Sequence, residues 1–157
     1  MTESDILEPI VLNTIERYFE LLQAHASPEQ MTEQVLTTDF ETGFADGLRW
    51  RGSDGLAEFI DARSVFFDET HEVLQLMSVT RADGDTIEAR TRLRFFLRRR
   101  EPRAPRSEEL TGQVLHTWRL RRRGGDYRVA AQIVDGFAQL NDEAAALFAT
   151  PTEGLRT

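Results

Sequence analysis

Thr86-Ile87-Glu88-Ala89-Arg90-Thr91-Arg92-Leu93-Arg94-Phe95-Phe96-Leu97-Arg98-Arg99 alternates nearly without a break. Ile87, Ala89, Thr91, Leu93, Phe95 and Leu97 fall on one face. Glu88, Arg90, Arg92, Arg94, Phe96 and Arg98 fall on the other. That period of two predicts a long strand with one face buried. Upstream, the turn Ala82-Asp83-Gly84-Asp85 separates it from a strand over residues 71–80. Downstream, a polar Pro/Arg loop over residues 100–107 leads to a strand at 108–121. Arg123-Gly124-Gly125-Asp126 then turns into a last strand at 127–137.

Ahead of this meander the period changes to that of a helix. Ile10, Val11, Ile15, Tyr18, Phe19 and Leu22 recur at helical spacing, with a start expected near Pro9 and an end near Ala26. Ser27-Pro28-Glu29-Gln30 reads as the capping box of a short second helix. Residues 39–52 read as a hairpin turning at Ala45-Asp46-Gly47. Ser53-Asp54-Gly55 opens a third helix, with Leu56, Phe59, Ile60, Arg63 and Phe67 as its inner stripe. A short tail helix is expected from Asn141 to Phe148. The order is α-α-β-β-α-β-β-β-β, which argues an α+β fold. A strongly curved, mostly antiparallel sheet wrapped around the N-terminal helices buries both apolar stripes and leaves a cavity between them. One domain over residues 1–157 is expected, with its core at about 8–140 and flexible tails at 1–7 and 149–157.

Composition narrows the chemistry. The 157 residues include 19 arginines, no lysine and no cysteine, and the formal charge is −8. A lysine Schiff base, a thiolate nucleophile, a cysteine-ligated metal and a disulfide are therefore excluded. No apolar run approaches the ~20 residues of a membrane span, and the acidic start lacks the layout of a signal peptide. A cytoplasmic protein with no membrane partner is expected. Residues 1–80 hold 16 acids and 4 arginines, whereas residues 90–123 hold 12 arginines and 3 acids. On the strands that second stretch divides into an outer-face row (Arg90, Arg92, Arg94) and two separate ends. No nucleic-acid partner is expected.

Four segments carry a family resemblance: Ile15-Glu16-Arg17-Tyr18-Phe19, Thr38-Asp39-Phe40-Glu41, Arg51-Gly52-Ser53-Asp54-Gly55-Leu56-Ala57-Glu58-Phe59 and His116-Thr117-Trp118-Arg119-Leu120. Together with the element order, they resemble the SnoaL-like group of the nuclear transport factor 2-like superfamily, over about residues 8–140. The resemblance implies a cone-shaped, cystatin-like α+β roll. Its relatives include ketosteroid isomerases, dehydratases and polyketide cyclases. It implies a cofactor-independent enzyme doing proton-transfer chemistry on a hydrophobic, oxygenated substrate. The alternative is a non-catalytic ligand-binding protein, or a small subunit supporting a ring-hydroxylating oxygenase. It also implies a homodimer through the outer face of the sheet.

The candidate site residues follow. His116 shares an apolar strand face with Leu110, Val114, Trp118 and Leu120. It is either a core histidine bonded to backbone or a pocket acid, base or oxyanion donor. The resemblance to ketosteroid isomerases sets His116 where their acidic hydrogen-bond donor stands and Tyr18 where their helix-one tyrosine stands. The two are expected to converge on one substrate oxygen. It also sets Phe44 where the isomerase has its aspartate base, with Asp46 two residues away. His71 is either a strand-capping rim residue or the histidine of the superfamily's dehydratases, in which an aspartate stands where Phe19 stands here. His25 reads as a helix-end residue. Phe19, Phe44, Trp50, Phe59, Arg63 and Trp118 are the expected substrate-binding walls. No metal site and no cofactor are expected.

Overall fold

The computed structural model describes residues 1–100, 103 and 105–148; the tail expected at 149–157 lies outside the described residues. The first helix, α1 (Glu3–Gln23), begins six residues before Pro9. Thr2 Oγ1 accepts from the Asp5 N–H at 3.2 Å, and the Asp5 carboxylate accepts from the Thr2 N–H at 2.9 Å. This reciprocal cap fixes the start, and acidic Glu3 and Asp5 suit the positive end of the helix dipole. Residues 3–7, expected as a tail, are therefore helical, and Leu7 is buried. The C-terminus closes as a Schellman motif, with His25 N–H on the Leu22 carbonyl and Ala26 N–H on that of Leu21. His25, at φ 57°, thus lies beyond the helix and not in its last turn.

The short helix α2 (Pro28–Gln34) carries the Ser27/Gln30 capping box read from the sequence. The hairpin of β1 (Leu36–Phe44) and β2 (Arg49–Arg51) follows. Gly43 sits in it at φ 140°, where a Cβ would stand 2.2 Å from the Leu48 carbonyl oxygen. Helix α3 (Gly52–Ala62) ends in a 3-10 turn (Arg63–Val65). Arg63 therefore caps the helix and leaves its inner stripe. β3 (Phe66–Asp83) starts five residues earlier than expected, so Phe67 belongs to a strand and Phe66 takes the buried place. β4 (Thr86–Arg99), β5 (Glu108–Arg123), β6 (Asp126–Ala138) and α4 (Asp142–Phe148) complete the chain.

The sheet order is β2-β1-β6-β5-β4-β3, antiparallel except where β1 runs parallel to β6. Pairing the first strand with the last brings the hairpin and α3 round to the concave side, where α1 lies against β3 and β6. Every predicted inner residue of β4 is at most 4% exposed. Burying each large side chain there contributes about 1.5–3 kcal/mol. The outer face is a cross-strand charge ladder: Arg98 on Glu109 at 3.1 Å, Arg94 on Glu72 at 3.3 Å and Arg119 on Glu88 at 3.5 Å. These pairs are solvent-exposed and each adds at most about 1 kcal/mol. No helix among the described residues is long and apolar enough to cross a membrane.

Candidate functional site

The helices and the inner face of the sheet border a partly open cavity of about 90 Å³. Its wall is aromatic: Phe19 of α1, Phe44 and Trp50 of the hairpin, Phe59 of α3, Phe137 of β6 and Phe148 of α4. Its polar atoms come from Thr42, Arg63, His71, His116 and Gln132. No carboxylate lines it among the described residues. Asp46 is exposed in the hairpin turn and faces another depression.

His116 lies mid-strand on β5, where the period of two turns it inward, and is 4% exposed. Its ring stands edge-to-face with Trp118 at 5.4 Å. Gln132 Nε2 is 2.8 Å from His116 Nε2. The same amide offers Oε1 to the Tyr18 hydroxyl at 2.8 Å and to the Thr42 hydroxyl at 2.9 Å. His116 Nδ1 is buried with no hydrogen-bond partner among the described residues. Burial, reinforced by the positive charge of Arg63, pushes the His116 imidazole down to about 3. His116 is therefore neutral at neutral pH. With Gln132 at Nε2 and Nδ1 unpartnered, the neutral ring suits hydrogen-bond donation.

The arrangement differs from the expected meeting of Tyr18 and His116 on one substrate oxygen. Gln132 stands between them, and Tyr18 is fully buried behind the cavity wall, not in it. The reason is reach. The α1 stripe packs Tyr18 edge-to-face on Trp118 at 5.4 Å, so its hydroxyl ends on the β6 amide. Burial pushes the Tyr18 phenol above its ordinary value, opposed by Arg63, so it stays a donor. Trp118, expected in the cavity wall, also lies behind it. Its indole N–H donates to Thr91 Oγ1 at 2.9 Å. Sequence reasoning did not single out Gln132 or Thr42. The available signal was an amide inside the apolar run Val129-Ala130-Ala131-Gln132-Ile133-Val134.

His71 is half-buried near the start of β3 and lines the cavity. Its ring stacks on Phe19 at 4.2 Å and 13°. Its Nδ1 is 2.9 Å from Gln23 Oε1, one helical turn beyond Phe19. The amide oxygen accepts, so Nδ1 carries the proton and Nε2 keeps its lone pair. Burial, reinforced by the positive charge of Arg63, holds His71 well below its ordinary value. Arg63 reaches the cavity from the 3-10 turn, over the Phe59 ring at 5.8 Å and the Phe66 ring at 5.4 Å. Its guanidinium is paired with Glu69, which is buried and lies behind the wall. His25 Nε2 is 3.9 Å from the other Glu69 oxygen, outside the cavity.

A family model described as the SnoaL-like domain matches residues 10–132. The chain belongs to this SnoaL-like family. No curated protein matches it. Among solved structures, this SnoaL-like domain is similar to a nuclear transport factor 2-like protein with a cystatin-like fold from Novosphingobium aromaticivorans. The identity is 19%, the TM-score 0.59, and 88% of this chain and 86% of the other are covered. It is also similar to a candidate scytalone dehydratase from the same organism, at 14% identity and TM-score 0.72 over 90% and 91% of the two chains. A type 2 hexachlorocyclohexane dehydrochlorinase matches at 10% identity and TM-score 0.64 over 88% and 92%. At these identities the likeness shows the fold, the α+β roll read from the sequence.

Proposed function

We propose that this SnoaL-like domain is a cofactor-independent enzyme that moves a proton on a small, hydrophobic, oxygenated ring, by isomerisation, elimination or cyclisation. One observation carries the reading: two neutral histidines of opposite hydrogen-bonding character stand on the wall of one apolar cavity. His71 offers a lone pair at Nε2, held in that tautomer by Gln23. His116, on the same wall, has a buried and unpartnered Nδ1. His71 takes a proton from carbon next to a carbonyl, and His116 holds the oxygen on which negative charge develops. Arg63 adds positive potential from the cavity edge, and the wall around it is largely aromatic. Two of the structural neighbours carry the names of elimination enzymes, a candidate scytalone dehydratase and a hexachlorocyclohexane dehydrochlorinase, and that agrees with the reading. A cavity of about 90 Å³ is smaller than the ~150 Å³ that holds benzene. Small five-membered rings are therefore the first substrates to try.

Deuterium uptake next to the carbonyl of cyclopentanone and related ring ketones, followed by proton NMR in D₂O, tests this. Wild type should exchange faster than buffer, and His71→Ala should lose on the order of 10²–10⁴-fold. Exchange at the wild-type rate in folded His71→Ala would refute the assignment.

A further inference from the structure

We infer that Gln132 is a positioning residue that fixes His116 as an Nδ1–H donor, so that the polar end of the cavity takes a hydrogen-bond acceptor, a carbonyl-type oxygen. The inference rests on the proposed site and extends it to ligand class, through a residue that touches no reacting atom.

The geometry carries it. Gln132 sits on β6 with its two amide atoms serving opposite sides. Oε1 lies within 2.9 Å of both the Tyr18 and the Thr42 hydroxyls. Thr42 also lies 2.9 Å from the Gln132 backbone carbonyl, so its single proton serves either oxygen. An amide oxygen is the strongest neutral acceptor in this cluster, and a hydroxyl has one proton to give. With Oε1 committed to hydroxyl protons, the amide turns its NH₂ toward His116 Nε2, 2.8 Å away. A nitrogen facing that N–H must present its lone pair. The only proton of the neutral ring then lies on Nδ1. That atom is buried and unpartnered among the described residues. A buried donor left unsatisfied is destabilising, and a ligand oxygen that accepts from it relieves that cost. Of the other donors on the wall, one Arg63 nitrogen is paired with Glu69, and His71 Nδ1 is taken by Gln23.

The test reads the tautomer directly. Long-range ¹H–¹⁵N correlation spectra of protein labelled at its three histidines, near pH 7, should show His116 protonated at Nδ1. Replacing the amide by an acceptor-only group, Gln132→Glu, should move that proton to Nε2. Cyclopentanone, an acceptor without a donor, should shift the Nδ1–H resonance of wild type. Pyrrole, a donor ring of the same size, should not. Gln132→Glu should weaken cyclopentanone binding at least about 10-fold. An Nε2–H tautomer in wild type overturns the inference and needs no variant. An unchanged tautomer in Gln132→Glu, or a pyrrole effect at Nδ1 equal to that of cyclopentanone, overturns it as well. Failure of the deuterium exchange with the Nδ1–H tautomer intact would count against proton-transfer chemistry and leave this inference standing.

Discussion

Lowering the pH should destabilise this protein through His116. The ring is 4% exposed, flanked by Trp118 and Phe19, and bonded to a neutral amide. In the unfolded chain it takes a proton near pH 6.5, and in the native state only near pH 3. A folded-state value below the unfolded one means that the unfolded state binds the proton first. Stability is then full above about pH 6.5 and is lost as the pH falls toward 3, by about 1.4 kcal/mol per pH unit for one proton. Between pH 7.5 and 4.5 the loss comes to about 3 kcal/mol, a large part of the ~5–15 kcal/mol net stability of a domain. The two tryptophans, Trp50 and Trp118, are buried and report unfolding by fluorescence. Urea unfolding at pH 7.5 and 4.5, for wild type and for His116→Asn, isolates the titration from the general effect of acid. Wild type should lose about 3 kcal/mol more than the variant, at an unchanged slope with urea. If the two proteins lose the same free energy within about 0.5 kcal/mol, the reasoning fails, because His116 is then either solvated or already protonated in the native state.

Removing Glu69 should be more damaging than removing both members of its pair. Glu69→Gln leaves Arg63 nearly buried without a counter-charge and should cost about 3 kcal/mol in urea unfolding. The double replacement of Arg63 and Glu69 by methionine should restore at least half of that. Gly43→Ala forces a Cβ against the Leu48 carbonyl oxygen at φ 140°, so it should cost at least about 1–3 kcal/mol and lower the thermal midpoint. A midpoint unchanged within 1 °C, about the precision of a scan, would show that the hairpin relaxes. Gln23→Glu should replace the neutral partner of His71 by a charged one and raise that imidazole by about 1–3 pH units. An NMR titration of His71 unmoved by the change would place Gln23 outside hydrogen-bond reach.

The sequence was most legible where burial and backbone period coincide. From Ile87 to Arg98 on β4 each inner residue is apolar or Thr91 and each outer residue is charged or Phe96, so the pattern alone set both strand and face. Helix starts were harder. Pro9 reads as the start of α1, but the helix is capped at Thr2 and begins at Glu3. The capping box at Thr2 won because it satisfies two backbone donors, whereas a proline satisfies none. The start of β3 was hidden because Phe67 continues the helical stripe of α3, although the chain leaves the helix at Arg63. The cavity wall was largely readable as aromatic residues on inner faces. The polar cluster was not, since it joins Tyr18, Thr42, His116 and Gln132 across 114 residues through side-chain reach, which no local period encodes.

The charge distribution has a physical sequel at the site. The chain carries 27 acids, yet the charge that reaches the cavity wall is that of Arg63. Glu69 neutralises it from behind, so the pair acts as a dipole with its positive end toward the cavity. After burial, Arg63 is the next cause that lowers both His71 and His116. A positive potential there disfavours imidazolium and favours an oxygen that gains negative charge. The working form of the site is therefore two neutral rings under a positive field. A carboxylate introduced on the wall, at Phe44 for instance, would cancel that field. Phe44→Asp should raise the protonation point of His116 as measured by ¹⁵N titration, and a histidine indifferent to that charge would show that the cavity is filled with screening water.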